Sequence, residues 1–158
     1  MANTSYLRKT VEPFLVGWAA KQIGVGLKPC RVEVGRTMGG TPVRFEFDGV
    51  SADGRVGVCV SASTSYKVGQ MRKFFMEATL LNRVPQFERR VMVFVENHVW
   101  EGFKNQCDGL VDLRRIESLV CNELPLEMRT KIGEIYKASA EEVGDRTGRG
   151  TKVPGRRR

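Results

Sequence analysis

Three positions in two neighbouring strand-like segments carry the side chains that decide the chemistry of this chain. Asp48 ends the segment RFEFD, and Cys59 and Ser61 lie in the following segment VGVCVSAS. A carboxylate oxygen is a ligand that Mg²⁺ prefers, a thiol is a soft and poor partner for Mg²⁺, and a serine hydroxyl carries no positive charge. Mg²⁺ takes six oxygen ligands, so Asp48 alone supplies too few.

The two segments are predicted to form a β-hairpin that turns at Asp53-Gly54. An Asp-Gly pair favours a type I′ turn, in which both central residues have positive φ. This register places Val50 opposite Gly57, Asp48 opposite Cys59 and Glu46 opposite Ser61. The polar side chains expected on one face of the hairpin are Asp48, Glu46, Cys59 and Ser61. The apolar side chains expected on the other face, as the core, are Phe45, Phe47, Val58 and Val60.

The elements around this hairpin follow from hydrophobic periodicity. A first helix is expected to begin near Val11 or Glu12, because Pro13 fits only a first turn. A short β-rich run, PCRVEVGRT, adds a third strand. The segment TSYKVGQMRKFFMEATLL reads as a second helix, with Ser63, Thr64 or Ser65 as its cap. Its expected buried stripe is Met71, Phe74, Phe75, Ala78 and Leu81.

The rest of the chain completes an α/β pattern. RRVMVFVEN is apolar almost throughout, which predicts a strand buried on both faces and parallel to a neighbour. Two or three helices are expected from His98 to about Val143, with a break at Pro125. The order is therefore helix, three strands, helix, strand and C-terminal helices around a mixed central sheet. Residues 1–143 are expected to form one domain.

This layout resembles the restriction-endonuclease-like, or PD-(D/E)xK, nuclease superfamily over roughly Val11 to Asn97. Its signature is an aspartate in one strand and an acid, any residue and a lysine in the next. Asp48 stands at the aspartate position, but Cys59 and Ser61 replace the acid and the lysine. The resemblance implies a metal-dependent phosphodiesterase scaffold whose signature is degenerate. The helix that follows also looks like the corresponding helix of many members.

The same resemblance leaves room for relocated groups, which are a habit of this superfamily. Glu46 is two residues from Asp48, about 7 Å along the strand, and Glu12 is another candidate acid. The side chains that would replace the signature lysine are Lys67, Lys73 and Gln70. If these groups restore activity, Mg²⁺ or Mn²⁺ is the implied cofactor and Asp48 its ligand. Without them we expect no cofactor and no useful cleavage, and an enzyme is the less favoured interpretation.

Charge and cysteine content limit the remaining classes. The chain has 158 residues and a net charge of +8, and from Gly144 onward it contains six basic residues and one acidic one. That tail, 144–158, is expected to be disordered and to bind phosphates weakly and with strong salt dependence. The residues expected to contact nucleic acid are Lys67, Arg72, Lys73, Arg156, Arg157 and Arg158. Four widely spaced cysteines without a CxxC pair, beside a single histidine, predict no zinc site.

Three interpretations of function remain open. The favoured one is a catalytically degenerate nuclease-fold module that binds nucleic acid or a protein partner, or forms a homodimer. The first alternative is an active nuclease with relocated ligands from among Glu46, Asp48, Lys67 and Lys73. The second is a structural subunit that never meets nucleic acid. No segment predicts a membrane span or a signal peptide, so a cytoplasmic protein is expected. The number of carboxylates around Asp48 distinguishes the first two interpretations.

Overall fold

The computed structural model describes residues 4–147 and, for side chains, residues 4–141. A helical turn, α1 (Thr4–Tyr6), and a π-helical segment (Leu7–Val11) lead into the first long helix. The helices are α2 (Glu12–Ile23), α3 (Val68–Arg83), α4 (Asn97–Cys107) and α5 (Leu126–Thr147), with a 3₁₀ turn at Leu113–Arg115. The strands are β1 (Leu27–Arg36), β2 (Pro42–Ser51), β3 (Val56–Ser61), β4 (Arg89–Phe94) and β5 (Glu117–Val120).

The five strands form one mixed sheet in the order β1-β2-β3-β4-β5. The first three are antiparallel neighbours, and β3, β4 and β5 are parallel to one another. The predicted α/β class and the parallel pairing of β4 are confirmed. The strand β5 was missed, because ESLV is only four residues long and lies in a stretch expected to be helical. The helix α2 begins at Glu12 with Pro13 in its first turn, as predicted.

The hairpin between β2 and β3 has the predicted register but a different turn. Val50 pairs with Gly57, and Gly49 with Val58. Gly54 has φ 71°, whereas no residue other than glycine has positive φ within residues 4–147. Gly54 N donates to Ser51 O at 2.9 Å, which places Ala52 and Asp53 at the centre of the turn. The type I′ prediction is therefore wrong: the turn is centred one residue earlier, and a left-handed Gly54 follows it.

A bulge in β2 changes which side chains share a face. Lys28 pairs with Val50 and Cys30 pairs with Phe47. Between these two pairs, β2 advances by three residues while β1 advances by two, so β2 contains one extra residue. After the bulge, Phe47 packs on the same side of the sheet as Val50, against α3 and α4. The prediction that Phe47 shares a face with Val58 is wrong, since periodicity alone does not reveal an inserted residue.

Two apolar clusters cover the two faces of the sheet. One lies under α3 and α4 and includes Phe47, Phe74 and Phe103. The other lies under α2 and α5 and includes Leu15, Val60 and Ile132. All six residues of β3 are buried, because helices pack on both sides of it. A single core face for the hairpin was therefore the wrong expectation.

Two boundaries of the helices differ from those expected. The N-cap of α3 is Lys67, which makes no side-chain cap bond, so the predicted cap at Ser63, Thr64 or Ser65 is wrong. Helix α5 continues through positions 144–147, which the sequence had assigned to the basic tail. The remaining tail, with Arg156, Arg157 and Arg158, lies outside the described residues. None of the helices within residues 4–147 has both the length and the apolar character that crossing a lipid bilayer requires.

Candidate functional site

Asp48 lies in the β2 bulge, where the ladder between β2 and β3 comes to an end. The two strands share the rungs at Gly49 and Val50. Beyond them, Asp48 Oδ2 accepts a hydrogen bond from Val60 N at 2.8 Å. A carboxylate side chain thus takes the place of a main-chain acceptor and joins the two strands. Burial raises the pKa of Asp48, and the bond from Val60 opposes that rise.

Two further side chains meet Asp48 at this point. One ligand atom each from Asp48, Cys59 and Glu77 lies within 4.8 Å of the other two. Cys59 is 2% exposed and belongs to the apolar cluster beneath α3. The predicted proximity of Asp48 and Cys59 is confirmed, and Glu77 of α3 is an addition. We call these three residues the acid-thiol cluster.

Glu77 is a carboxyl group inside the protein. It is 5% exposed, and its Oε2 has no hydrogen-bond partner among the described residues. Burial raises the pKa of Glu77 to about 7, with a smaller contribution from the charge of Asp48, while Lys73 opposes the rise. Burial also raises the pKa of the Cys59 thiol well above its usual value, and the charges of Glu77 and Asp48 add to that effect. The thiol is therefore protonated at neutral pH.

Lys73 and Glu12 complete the charged surroundings. Lys73 Nζ lies 3.6 Å from Glu77 Oε1, one turn earlier on α3. Burial alone would lower the pKa of Lys73, but the charges of Glu77, Asp48 and Glu12 hold it above its usual value. Burial raises the pKa of Glu12, and the negative charge of Asp48 raises it further. Three carboxyl groups and one ammonium group thus influence one another.

Two clefts open beside the acid-thiol cluster. The lysine cleft, about 420 Å³, is lined by Ser61, Gln70, Lys73, Tyr136 and neighbouring residues. The arginine cleft, about 750 Å³, is lined among others by Arg8, Arg31, Arg44, Phe45 and Asp48. Both contain Arg8 and Glu12, so the clefts adjoin.

The structure brings some of the predicted site residues together and separates others. Gln70 and Lys73 line the same cleft as Ser61, and Asp48 is close to Cys59. Glu46 is exposed and pairs with Arg31 of β1, with Arg31 Nε 3.3 Å from Glu46 Oε2. The predicted pairing of Glu46 with Ser61 is wrong, because the rungs between β2 and β3 are at Gly49 and Val50 and do not reach Glu46. Glu46 lines the arginine cleft with Asp48 but does not belong to the acid-thiol cluster.

The predicted basic surface on α3 divides in the same way. Lys67 and Arg72 are exposed and line neither cleft, whereas Lys73 points its ammonium group at Glu77. Lys67 is therefore not placed to replace the signature lysine. Arg8, Arg31 and Arg44, which were not singled out in the sequence, are the arginines near Asp48.

Glu77 is the site residue that the sequence analysis missed, although α3 contains a signal for it. Phe74, Ala78 and Leu81 are the buried stripe of the helix, and Glu77 lies among them at the same helical spacing. An acid in a buried stripe is rare unless it has a partner or a role. The expected stripe included Phe75, which is 39% exposed, and it did not include Glu77, which is buried.

Comparison with known proteins gives no family for this chain. No family model matches it, no curated protein matches it, and no solved structure matches it.

Proposed function

We propose that this protein is a metal-dependent phosphodiesterase that acts on nucleic acid, with a nuclease-like arrangement in which Glu77 supplies the relocated acid and Lys73 the relocated lysine. The observation that carries this proposal is the approach of the Glu77 carboxylate to Asp48 within the acid-thiol cluster. The expectation of no activity counted Asp48 and a distant Glu46 as the acids. Glu77 adds a carboxyl group close to Asp48 that this expectation did not include.

The donor set fits a divalent cation in three respects. Asp48 and Glu77 present hard oxygen atoms, and water can fill the other positions around an ion such as Mg²⁺. The buried Glu77 Oε2 has no partner among the described residues, which is the condition that a bound cation would relieve. Val60 N–H holds one oxygen of Asp48 and so fixes the orientation of its carboxylate. Asp48 and Glu77 are therefore the residues that would hold the cation.

The protein's own groups then divide the work of phosphodiester hydrolysis. A bound divalent cation would lower the pKa of a water molecule and offset charge on the phosphate. Lys73 stays protonated, because the three carboxyl groups raise its pKa, so its ammonium group donates to a phosphate oxygen and does not act as the base. Gln70 lines the same cleft one turn earlier on α3 and can orient a water or a phosphate oxygen.

The surroundings of the cluster favour a polyanionic substrate. Arg8, Arg31 and Arg44 line the arginine cleft that also contains Asp48. Guanidinium groups bind phosphate in a bidentate manner, so Arg8 and Arg44 are suited to a nucleic-acid backbone. Arg31 is available once it leaves Glu46. Glu12 and Glu46 line the same cleft, so its charge is mixed. Phe45 lines the same cleft and offers an apolar surface to a base. In this proposal the substrate strand runs along the arginine cleft, with a phosphate at the acid-thiol cluster.

The test compares two lysines of the same helix segment. Purified protein is incubated with supercoiled DNA, single-stranded DNA and RNA in Mg²⁺, Mn²⁺, Co²⁺ or Zn²⁺. We expect cleavage that falls at least about 100-fold in Lys73→Ala and in Asp48→Asn, because positioned charges typically contribute that much. Lys67→Ala is the matched control and should retain full activity, since Lys67 is exposed and lines neither cleft.

Two outcomes contradict the proposal. One is the absence of cleavage of all three substrates by the wild type in each of the four metals. Cleavage that persists in Asp48→Asn is the other, because it indicates a contaminating nuclease. Circular dichroism of each variant separates loss of activity from loss of fold.

A degenerate binding module is the second candidate, and the two signature positions favour it. The side chains of Cys59 and Ser61 are neutral, and they are only 2% and 5% exposed. Neither position therefore presents a charged group to a substrate. This candidate predicts weak, sequence-tolerant nucleic-acid binding that decreases steeply with salt, without cleavage. Binding without cleavage in the same assay favours it, and the absence of both favours a structural subunit.

A further inference from the structure

We propose that Cys59 is a third metal ligand, so that the acid-thiol cluster takes a thiophilic divalent cation of the zinc class in preference to Mg²⁺. This inference rests on the proposed function, because it uses the metal site of Asp48 and Glu77 and names the class of cation that the site selects. A thiolate ligand favours Zn²⁺ and Co²⁺ strongly over Mg²⁺, which prefers oxygen alone. Cys59 would then be the residue that sets metal selectivity.

The geometry of the cluster is close to that of one tetrahedral ion. Zinc binds sulfur at about 2.3 Å and carboxylate oxygen at about 2.1 Å, so ligand atoms around it are about 3.5 Å apart. The three ligand atoms here lie within 4.8 Å of one another. A movement of at most about 1.3 Å closes that difference, and the Glu77 side chain has three torsions through which to make it.

Two independent features of the side chains indicate a cation at this point. Glu77 is 5% exposed, and its Oε2 has no partner among the described residues although it lies inside the protein. Asp48 Oδ2 already accepts a bond from Val60 N, which leaves Oδ1 as the oxygen for a metal. Each carboxylate is thus oriented by the protein and retains an oxygen for an ion.

The charges of the ligands and the ion are balanced by the surroundings. Binding requires Cys59 to lose its proton to solvent, as does any Glu77 that is protonated, so metal uptake releases protons. Two carboxylates and a thiolate around a divalent ion leave one negative charge. Lys73, with Nζ 3.6 Å from Glu77 Oε1, supplies the compensating positive charge.

Three protein ligands also agree with a site that performs chemistry. Structural zinc sites use four protein ligands, whereas catalytic ones use three and keep a position for water or substrate. Asp48 lines the arginine cleft, so the fourth position is expected on that side. The ligands come from β2, β3 and α3, and this separation explains why cysteine spacing alone predicted no zinc site.

The test uses Co²⁺ as a spectroscopic probe on the full-length protein. Cys30 is exposed and is first changed to serine, so that it cannot bind the probe. We expect one equivalent of Co²⁺ to produce a thiolate-to-cobalt charge-transfer band and the intense visible bands of a tetrahedral site. Cys59→Ser should abolish the charge-transfer band. Cys107→Ser is the matched control, because Cys107 is also 2% exposed but lies outside the cluster, and it should leave the band unchanged.

A competition experiment gives the selectivity. Zn²⁺ at one equivalent should displace Co²⁺, whereas a thousandfold excess of Mg²⁺ should not. Glu77→Gln should weaken Co²⁺ binding at least about tenfold, since loss of a second-sphere partner alone already costs that much. X-ray absorption of the zinc-loaded Cys30→Ser protein should give one sulfur neighbour at about 2.3 Å, and it needs no further variant.

The outcomes distinguish this inference from the proposed function. A Mn²⁺ or Co²⁺ complex without a sulfur neighbour, together with cleavage, overturns the role of Cys59 and leaves the proposed function standing. A charge-transfer band without cleavage supports the thiol ligand and contradicts the phosphodiesterase. No binding of Co²⁺, Zn²⁺ or Mn²⁺ by the wild type overturns both.

Discussion

The two faces of strand β3 meet different demands, although their side chains alternate along the same backbone. Val58 and Val60 face α2 and α5, where the buried cluster consists of hydrophobic side chains and contains no ionisable carboxyl or amino group. Cys59 and Ser61 face the other side, close to Asp48, Glu77 and Lys73. Burying ionisable groups costs stability unless they are fully paired. The side chains on the first face of β3 thus only contribute to stability. The ionisable groups beside the second face lower stability, which indicates that they serve another purpose.

Lysine substitutions at adjacent positions should break this comparison most strongly. Val60→Lys places an ammonium group in the apolar cluster, where we expect a loss of more than about 4 kcal/mol or no folding. Ser61→Lys places it in the lysine cleft near Glu12, where we expect a change within about 1.5 kcal/mol. Urea unfolding of the two variants measures the difference. Equal losses would contradict the assignment of Ser61 to the cleft.

The second largest expected effect is a dependence of the free energy of unfolding on pH, which Glu77 causes. Its folded pKa of about 7 lies above the ordinary value of 4.5, so the folded protein binds more protons between these values. The free energy of unfolding therefore falls as pH rises from about 4.5 to 7. Glu77→Gln should remove this fall. The free energy of unfolding of the variant should therefore exceed that of the wild type by an amount that increases with pH and reaches about 3 kcal/mol near pH 7.

Urea unfolding at pH 4, 6 and 8 in the presence of a chelator tests this expectation. Glu88→Gln is the control for removal of a surface carboxyl group, because Glu88 is 65% exposed and pairs with Arg55 at the surface. A pH-independent difference between wild type and Glu77→Gln would show that Glu77 is not titrating in the folded protein. Addition of a divalent cation at pH 8 should stabilise the wild type more than the variant, which has lost one of the proposed ligands.

Asp48→Asn should give a smaller effect of the same sign. Burial raises the pKa of Asp48, so its ionisation also costs stability as pH rises through the folded value. The bond from Val60 N favours the charged form and opposes this cost, and an asparagine oxygen can still accept that bond. We expect stabilisation at pH 7 that is smaller than that of Glu77→Gln, measured by the same unfolding experiment. Destabilisation by Asp48→Asn would mean that the bond outweighs burial.

The sequence predicted the parts of this site that depend on local patterns. Alternation in β2 and β3 brought Asp48 next to Cys59, and the apolar run in β4 predicted its buried parallel position. Helical spacing also placed Gln70 and Lys73 near the start of α3. These features follow from periods of two and 3.6 residues, which are visible within a few residues of sequence.

The parts that the sequence did not predict depend on geometry between distant segments. The bulge in β2 is an extra residue relative to β1, and only the pairing of the two strands reveals it. Glu77 lies close to Asp48 because α3 packs against the sheet. The distance between Glu77 and Cys59 depends on how the helix and the strand pack, which the sequence of α3 does not reveal. The arginine cleft combines Arg8 with Arg31 and Arg44, which are far apart in the chain.

The smallest expected change in stability sharpens the comparison at the outer end of the charged face. Glu46→Gln removes an exposed ion pair with Arg31, whose side chains are 54% and 75% exposed, so stability should change by less than about 1 kcal/mol. Nucleic-acid affinity should nevertheless rise, by about fivefold or less, because Arg31 is released to bind phosphate and a negative charge leaves the arginine cleft. One added contact with duplex DNA should steepen the salt dependence by about 0.9.

Fluorescence anisotropy at several salt concentrations measures both the affinity and its salt dependence. Glu88→Gln breaks an equally exposed pair outside the cleft, so an equal rise in that variant would mean that net charge alone governs binding.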